Sequence, residues 1–183
     1  DKPVYAGPAT GTVASSGPAN FYWWYNTDTR TTGDGVCGAS EECPRNLELK
    51  HDIVLSYNGA DWSFSSDNFF IVDKKGWQPT TTGYAHNWHF TVECAMQFTY
   101  VAGDTFYFRG DDDVWVFINR KRAINLGGTH GPLAANVNLD SKATELGIAP
   151  GGTYSMHLFY AERHAIGSSF LMTTNIALTT CPG

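Results

Sequence analysis

Apolar and polar residues alternate almost without a break from Trp88 to Cys94: Trp88, Phe90, Val92 and Cys94 fall on one side, His89, Thr91 and Glu93 on the other. Because successive side chains of a strand point to opposite faces, this segment reads as a half-buried strand. Residues 97–101 and 105–109 carry the same signal around Ala102-Gly103-Asp104, which predicts a hairpin with a glycine-containing loop. Further strands are expected at 114–118, around Val137, at 153–160 and at 169–178, with turns at 119–121 and 150–152 and a glycine-rich loop at 127–132. In the first half, 21–25 and 52–57 read as strands, separated by a polar stretch, 27–44, that suits a long surface loop. No window of a dozen residues holds a helical stripe, and only 141–146 suits a turn or two of helix. About ten short strands with turn signals between them define an all-β fold class, an antiparallel β-sandwich or barrel. Residues 1–20, mostly Gly, Pro, Ala, Ser and Thr, read as an arm or linker before a single domain at 21–183.

Composition sharpens this picture. Apolar residues make up 42% of the 183 and aromatics 14%, against 16% charged, which excludes a disordered chain and favours β structure. The net charge of −6, with basic residues scattered apart from Arg120-Lys121-Arg122, argues against a nucleic-acid partner. No apolar run approaches the roughly 18 residues that span a bilayer, so membrane insertion is not expected. The sequence starts at Asp1 without a Met, and is expected to be a mature or excised piece of a larger multidomain chain. Four cysteines are present, of which Cys37 and Cys43 close a small polar loop. The even count points to two disulfides, Cys37–Cys43 and Cys94–Cys181, and to an oxidising compartment. Zinc is the rival reading, disfavoured because no Cys-x-x-Cys occurs.

The candidate chemistry lies in Gly110-Asp111-Asp112-Asp113, three adjacent carboxylates between two apolar strands. Adjacent anions repel unless something neutralises them, and Ca2+, which takes 6 to 8 oxygens in flexible geometry, suits a loop of this kind. The plain alternative is a solvated acidic turn.

The run from Phe106 to Asn119, then Leu126-Gly127-Gly128-Thr129-His130-Gly131 and Phe159-Tyr160-Ala161-Glu162-Arg163-His164, resembles the signature of the fibro-slime branch of the protective-antigen-fourteen β-sandwich domains. Trp24-Tyr25-Asn26, Asp67-Asn68-Phe69-Phe70 and His86-Asn87-Trp88-His89-Phe90 fit the same pattern, so the resemblance covers about residues 21 to 180. It implies a Ca2+ held by two consecutive aspartates joined through a cis peptide, here Asp111 and Asp112, with vicinal sugar hydroxyls completing the shell. It further implies ligands from 162–167: the Glu162 side chain and the carbonyls of His164 and Ile166. This chain departs from the pattern at Arg120, where glycine is usual, at Asp113, where small residues are common, and at Glu162, where relatives carry Asn.

Other residues divide between binding and packing. Thr129, His130 and Arg163 are candidates to contact ligand, and Trp77, beside Lys74, Lys75 and Gly76, is a candidate to stack on a sugar ring. Trp88 and Trp115 fall in strands and suit the core. His86 and His89 would face opposite ways on a strand and make a poor metal pair.

The expected function is a Ca2+-dependent, carbohydrate-binding module of an extracellular adhesin or matrix protein, secreted or at the cell surface and without catalysis. Two rivals stand beside it. Asp112 and Glu162 could form a glycosidase pair, although a calcium-held carboxylate is a poor general acid. The same fold could also keep calcium only for rigidity, as a structural or protein-binding module.

Overall fold

The computed structural model describes residues 2–7, 17–30, 46–76, 85–163 and 167–180. Ten strands and two helices are found among them: α1 (Pro18–Tyr22), β1 (Ser56–Tyr57), β2 (Trp62–Ser66), β3 (Phe90–Thr99), β4 (Thr105–Gly110), β5 (Asp113–Ile118), β6 (Lys121–Leu126), β7 (Leu133–Asn138), α2 (Leu139–Leu146), β8 (Thr153–Glu162), β9 (Phe170–Thr174) and β10 (Thr179–Thr180). They form two five-stranded antiparallel sheets, ordered β1-β2-β9-β4-β7 and β10-β3-β8-β5-β6, the expected sandwich.

Alternation builds the core between them. Phe106 and Phe108 of β4, Phe170 and Met172 of β9, Val114, Val116 and Ile118 of β5, and Met156, Leu158 and Tyr160 of β8 are all buried. Each such side chain contributes roughly 1.5–3 kcal/mol by leaving water.

The predicted hairpin across Ala102-Gly103-Asp104 is not formed. β3 pairs along its whole length with β8, whereas β4 pairs with β7 and β9, so the turn carries the chain from one sheet to the other. Both strands present an apolar face, and crossing lets those faces meet as opposite walls of the core. A true hairpin does join β5 to β6, through Asn119 and Arg120, both at positive φ (48° and 65°). That is the two-residue turn whose twist matches antiparallel strands.

The segment 21–25, expected as a strand, is the end of α1 and the turn after it. Pro18 presets the first helical φ, and Phe21 and Tyr25, four residues apart, are both buried. Their rings cover the outer face of the second sheet, Tyr25 lying 4.9 Å from Phe159 and Phe21 6.1 Å from Trp115. Part of the expected arm is strapped down as well, with Lys2 3.6 Å from Glu93 and Tyr5 5.7 Å from Phe21. Of the strand expected at 52–57, only Ser56–Tyr57 forms. The turn or two foreseen at 141–146 is the longer α2, capped by the Asn138 side chain and ended by Gly147 at φ 69°.

Three connections converge at one end of the sandwich: β4 to β5, β6 to β7, and β8 to β9. The acidic triplet lies on the first of them.

Candidate functional site

The Asp111–Asp112 peptide bond is cis, as the resemblance implies. Asp111 Oδ1 accepts from both the backbone N–H and the hydroxyl of Ser169, at 2.6 and 2.7 Å. Asp112 Oδ1 accepts from the His130 N–H at 3.0 Å, and its Oδ2 from the Arg163 N–H at 3.1 Å. The pair therefore pins the other two connections through three main-chain amides and one hydroxyl, donors that carry no net charge. Each carboxylate has about four lone-pair positions, so both retain capacity toward a further ligand.

Asp113 takes a different role. Its Oδ1 accepts from the Gly128 N–H at 2.5 Å, and its Oδ2 stands 2.6 Å from Arg163 Nε. Burial pushes this carboxyl above the usual range; the Gly128 amide and the Arg163 charge offset that only in part. The Arg163 guanidinium also lies over the Trp24 ring, 5.3 Å from its centre. An acidic residue is thus tolerated at position 113 because an arginine beside the site answers it.

Glu162 ends β8 and is 1% exposed; Asp112 and Asp113 are 2% and 3% exposed. Buried anions are stable only when paired or bound to a cation. Asp111, Asp112 and Glu162 line one pocket, while Asp113, next to them in the chain, is paired with Arg163. The Tyr160 hydroxyl reaches the Asp111 carbonyl at 2.5 Å, Glu162 Oε2 at 3.1 Å and Ser168 Oγ at 3.0 Å. Burial drives that phenol's pKa far upward, which keeps it a proton donor.

A cavity of about 320 Å3 opens among Asp111, Asp112, Thr129, His130, Gly131, Pro132, Glu162 and Gly167. The fold thus brings five of the candidates, Asp111, Asp112, Glu162, Thr129 and His130, to one pocket. His130 contributes mainly its backbone, since its ring nitrogens face the carbonyls of Gly131 (2.8 Å) and Leu126 (3.1 Å). Arg163 lines instead a larger groove of about 1570 Å3, which shares Thr129 and Glu162 with the pocket. Among the described residues, no three His, Cys, Asp or Glu side chains are disposed to hold a metal ion between them. The set expected from the resemblance relies also on carbonyl oxygens of His164 and Ile166, which lie outside the described residues, as does Trp77. The pocket's acidic donors are all oxygens, the chemistry of hard cations.

Elsewhere, His86 Nδ1 stands 2.6 Å from Asp73 Oδ2 and its ring stacks on Phe70 at 3.8 Å, while His89 sits at φ 66° just before β3. Trp88 packs against Phe70 rather than lying within a strand, and Trp115 sits on the covered outer face. The Cys94–Cys181 bond is not borne by this structure: Cys94 is a free thiol, pushed up to about 11 by burial, and Cys181 lies outside the described residues. Cys37 and Cys43 also lie outside them. Tyr160, Ser168, Ser169 and Gly128 went unforeseen, because nothing but their places beside the acidic pair and its partner loops marks them in the sequence.

The family model for the PA14 domain matches residues 73–181. Among curated proteins, psiB of Dictyostelium discoideum is 41% identical over 147 residues, covering 75% of this chain and 26% of that protein. Protein psiQ of the same organism is 38% identical over 152 residues (75% and 15%), and psiD 31% over 189 residues (97% and 34%). No solved structure matches significantly. The chain belongs to the PA14 family, in its fibro-slime-like branch, whose domains are carbohydrate-binding, adhesin-type modules. It spans between 15 and 34% of the length of these three relatives. No helix among the described residues is long and apolar enough to cross a membrane.

Proposed function

We propose that this domain binds carbohydrate through a Ca2+ ion, as the ligand-reading head of an extracellular adhesin or matrix protein, and that it catalyses nothing. The observation that carries the proposal is that the adjacent Asp111 and Asp112 line one small cavity with their carboxylates oriented by neutral donors. Asp111 and Asp112 would hold the ion, with Glu162 and the carbonyls of His164 and Ile166 as further ligands. When bound, calcium supplies exchangeable coordination positions that two neighbouring sugar hydroxyls can occupy in place of water. Around it, Ser169, His130 and Arg163 fix the carboxylates through their amides, and the 127–132 loop walls the pocket. A shallow, hydroxyl-based contact gives weak single-site affinity, so adhesion would depend on several copies at one surface.

A glycan array run with calcium and with a chelator, beside a glycoside-turnover assay, tests the proposal. Chelator-sensitive glycan binding without turnover is expected. Turnover lost in Asp112→Asn would make the protein a glycosidase. Calcium uptake with no glycan bound would make it a calcium-stabilised structural module.

A further inference from the structure

We infer that Tyr160 and Ser168 are the positioning residues that hold the two halves of the acidic pocket together. The inference rests on the function proposed above only for its calcium arm. Tyr160 Oη touches three separate stretches of chain: the Asp111 carbonyl at 2.5 Å, Glu162 Oε2 at 3.1 Å and Ser168 Oγ at 3.0 Å. Ser168 carries the link onward to the Phe69 carbonyl at 3.0 Å, in the connection that follows β2. One phenol thus ties the cis pair, the end of β8 and the segment leading into β9 to the core.

The ring that carries this hydroxyl cannot swing away. It is wholly buried, with Phe69 and Phe170 each 5.5 Å and Phe90 6.1 Å from its centre. Its orientation is therefore set by packing, and the hydroxyl by the ring. Rigid placement of this kind is what lets a ligand-holding shell keep its geometry before the ligand arrives. Hydrogen counting agrees. The phenolic hydroxyl donates toward the Asp111 carbonyl and Glu162 Oε2, the Ser168 hydroxyl donates to the Phe69 carbonyl, and the two hydroxyls meet each other, so two protons serve four contacts. No hydrogen is spare, so removing either hydroxyl breaks one of the links that join these stretches.

The test is amide hydrogen exchange on the calcium-free chain, wild type against Tyr160→Phe and Ser168→Ala, followed by calcium titration of each. Phenylalanine keeps the ring and its packing. Expected in Tyr160→Phe is about tenfold faster exchange at the Ser169 and Arg163 amides, which bond Asp111 and Asp112, with strand amides at Val116 and Leu158 unchanged. A similar but smaller change is expected in Ser168→Ala, and calcium affinity should fall with both. Unchanged exchange at Ser169 and Arg163 would overturn the inference, as would uniform acceleration that includes the core strands. If those amides respond but the wild-type chain takes up no calcium, the tie stands and the calcium reading fails.

Discussion

Ser169 gives Asp111 two hydrogen bonds from one residue, its amide and its hydroxyl both reaching the same carboxylate oxygen at 2.6 and 2.7 Å. Ser169→Ala removes the second and leaves the first. A bond to a charged acceptor is worth about 1.5–3 kcal/mol, so calcium affinity should drop about tenfold, measured by titration calorimetry. The backbone bond that remains should keep the fold, so urea unfolding should stay cooperative, with a stability loss no larger than that same range.

Gly110 lies immediately before the pair because the chain passes too close for anything larger. A Cβ there would stand 2.7 Å from the Ser169 carbonyl oxygen and 2.8 Å from the Phe108 ring. Gly110→Ala should destabilise by about 1–3 kcal/mol in urea unfolding. Because the Ser169 backbone is what must move, calcium and glycan binding should suffer more than stability alone explains.

At Arg120 the chain adopts φ 65°, a conformation that costs an ordinary side chain but not glycine. Arg120→Gly should raise stability by about 0.5–1 kcal/mol, the relief of strain being partly cancelled by the freer unfolded chain. A higher urea midpoint with unchanged slope would show it. The turn is far from the acidic pair in the sheet, so glycan binding should not change.

The Tyr100 hydroxyl donates to Asp140 Oδ1 at 2.5 Å, and the Gly103 N–H meets both oxygens of the same carboxylate at 3.0 Å. The bond to Asp140 pushes Tyr100 up to about 12, and that bond with the Gly103 amide holds Asp140 below its usual range. The stabilisation is therefore complete between about pH 4 and pH 10, the ordinary values of the two groups. It is lost as pH rises through about 12, where Tyr100 ionises, and as pH falls below 4, where Asp140 protonates. Unfolding followed against pH should show wild type more stable than Asp140→Asn across that window, with the gap closing on both sides.

Much of this was legible from residue order alone, and the physical reasons are specific. Strand alternation at Phe106–Phe108 and Val114–Ile118 fixes which rings enter the core, and Asp111 and Asp112, adjacent in sequence, needed no long-range contact to be recognised as a pair. What failed was pairing. The period-two pattern on either side of Gly103 says that two strands exist, not that they lie in opposite sheets, because a crossing turn and a hairpin share the same turn residues. At 21–25 five residues are too few to separate a strand from the turn that Pro18 starts. The Arg163–Asp113 pair and the Tyr160–Asp111 tie link positions about fifty apart, the latter ending on a carbonyl that every residue possesses. No residue type announces such a contact.

The most direct test of the account is a calorimetric titration of Ca2+ into metal-stripped protein, wild type beside Asp111→Asn and Asp112→Asn. One saturable site in the wild type, abolished in both variants, is the predicted result. No uptake by the wild type, or undiminished uptake by either variant, would contradict the claim that these two side chains hold the ion.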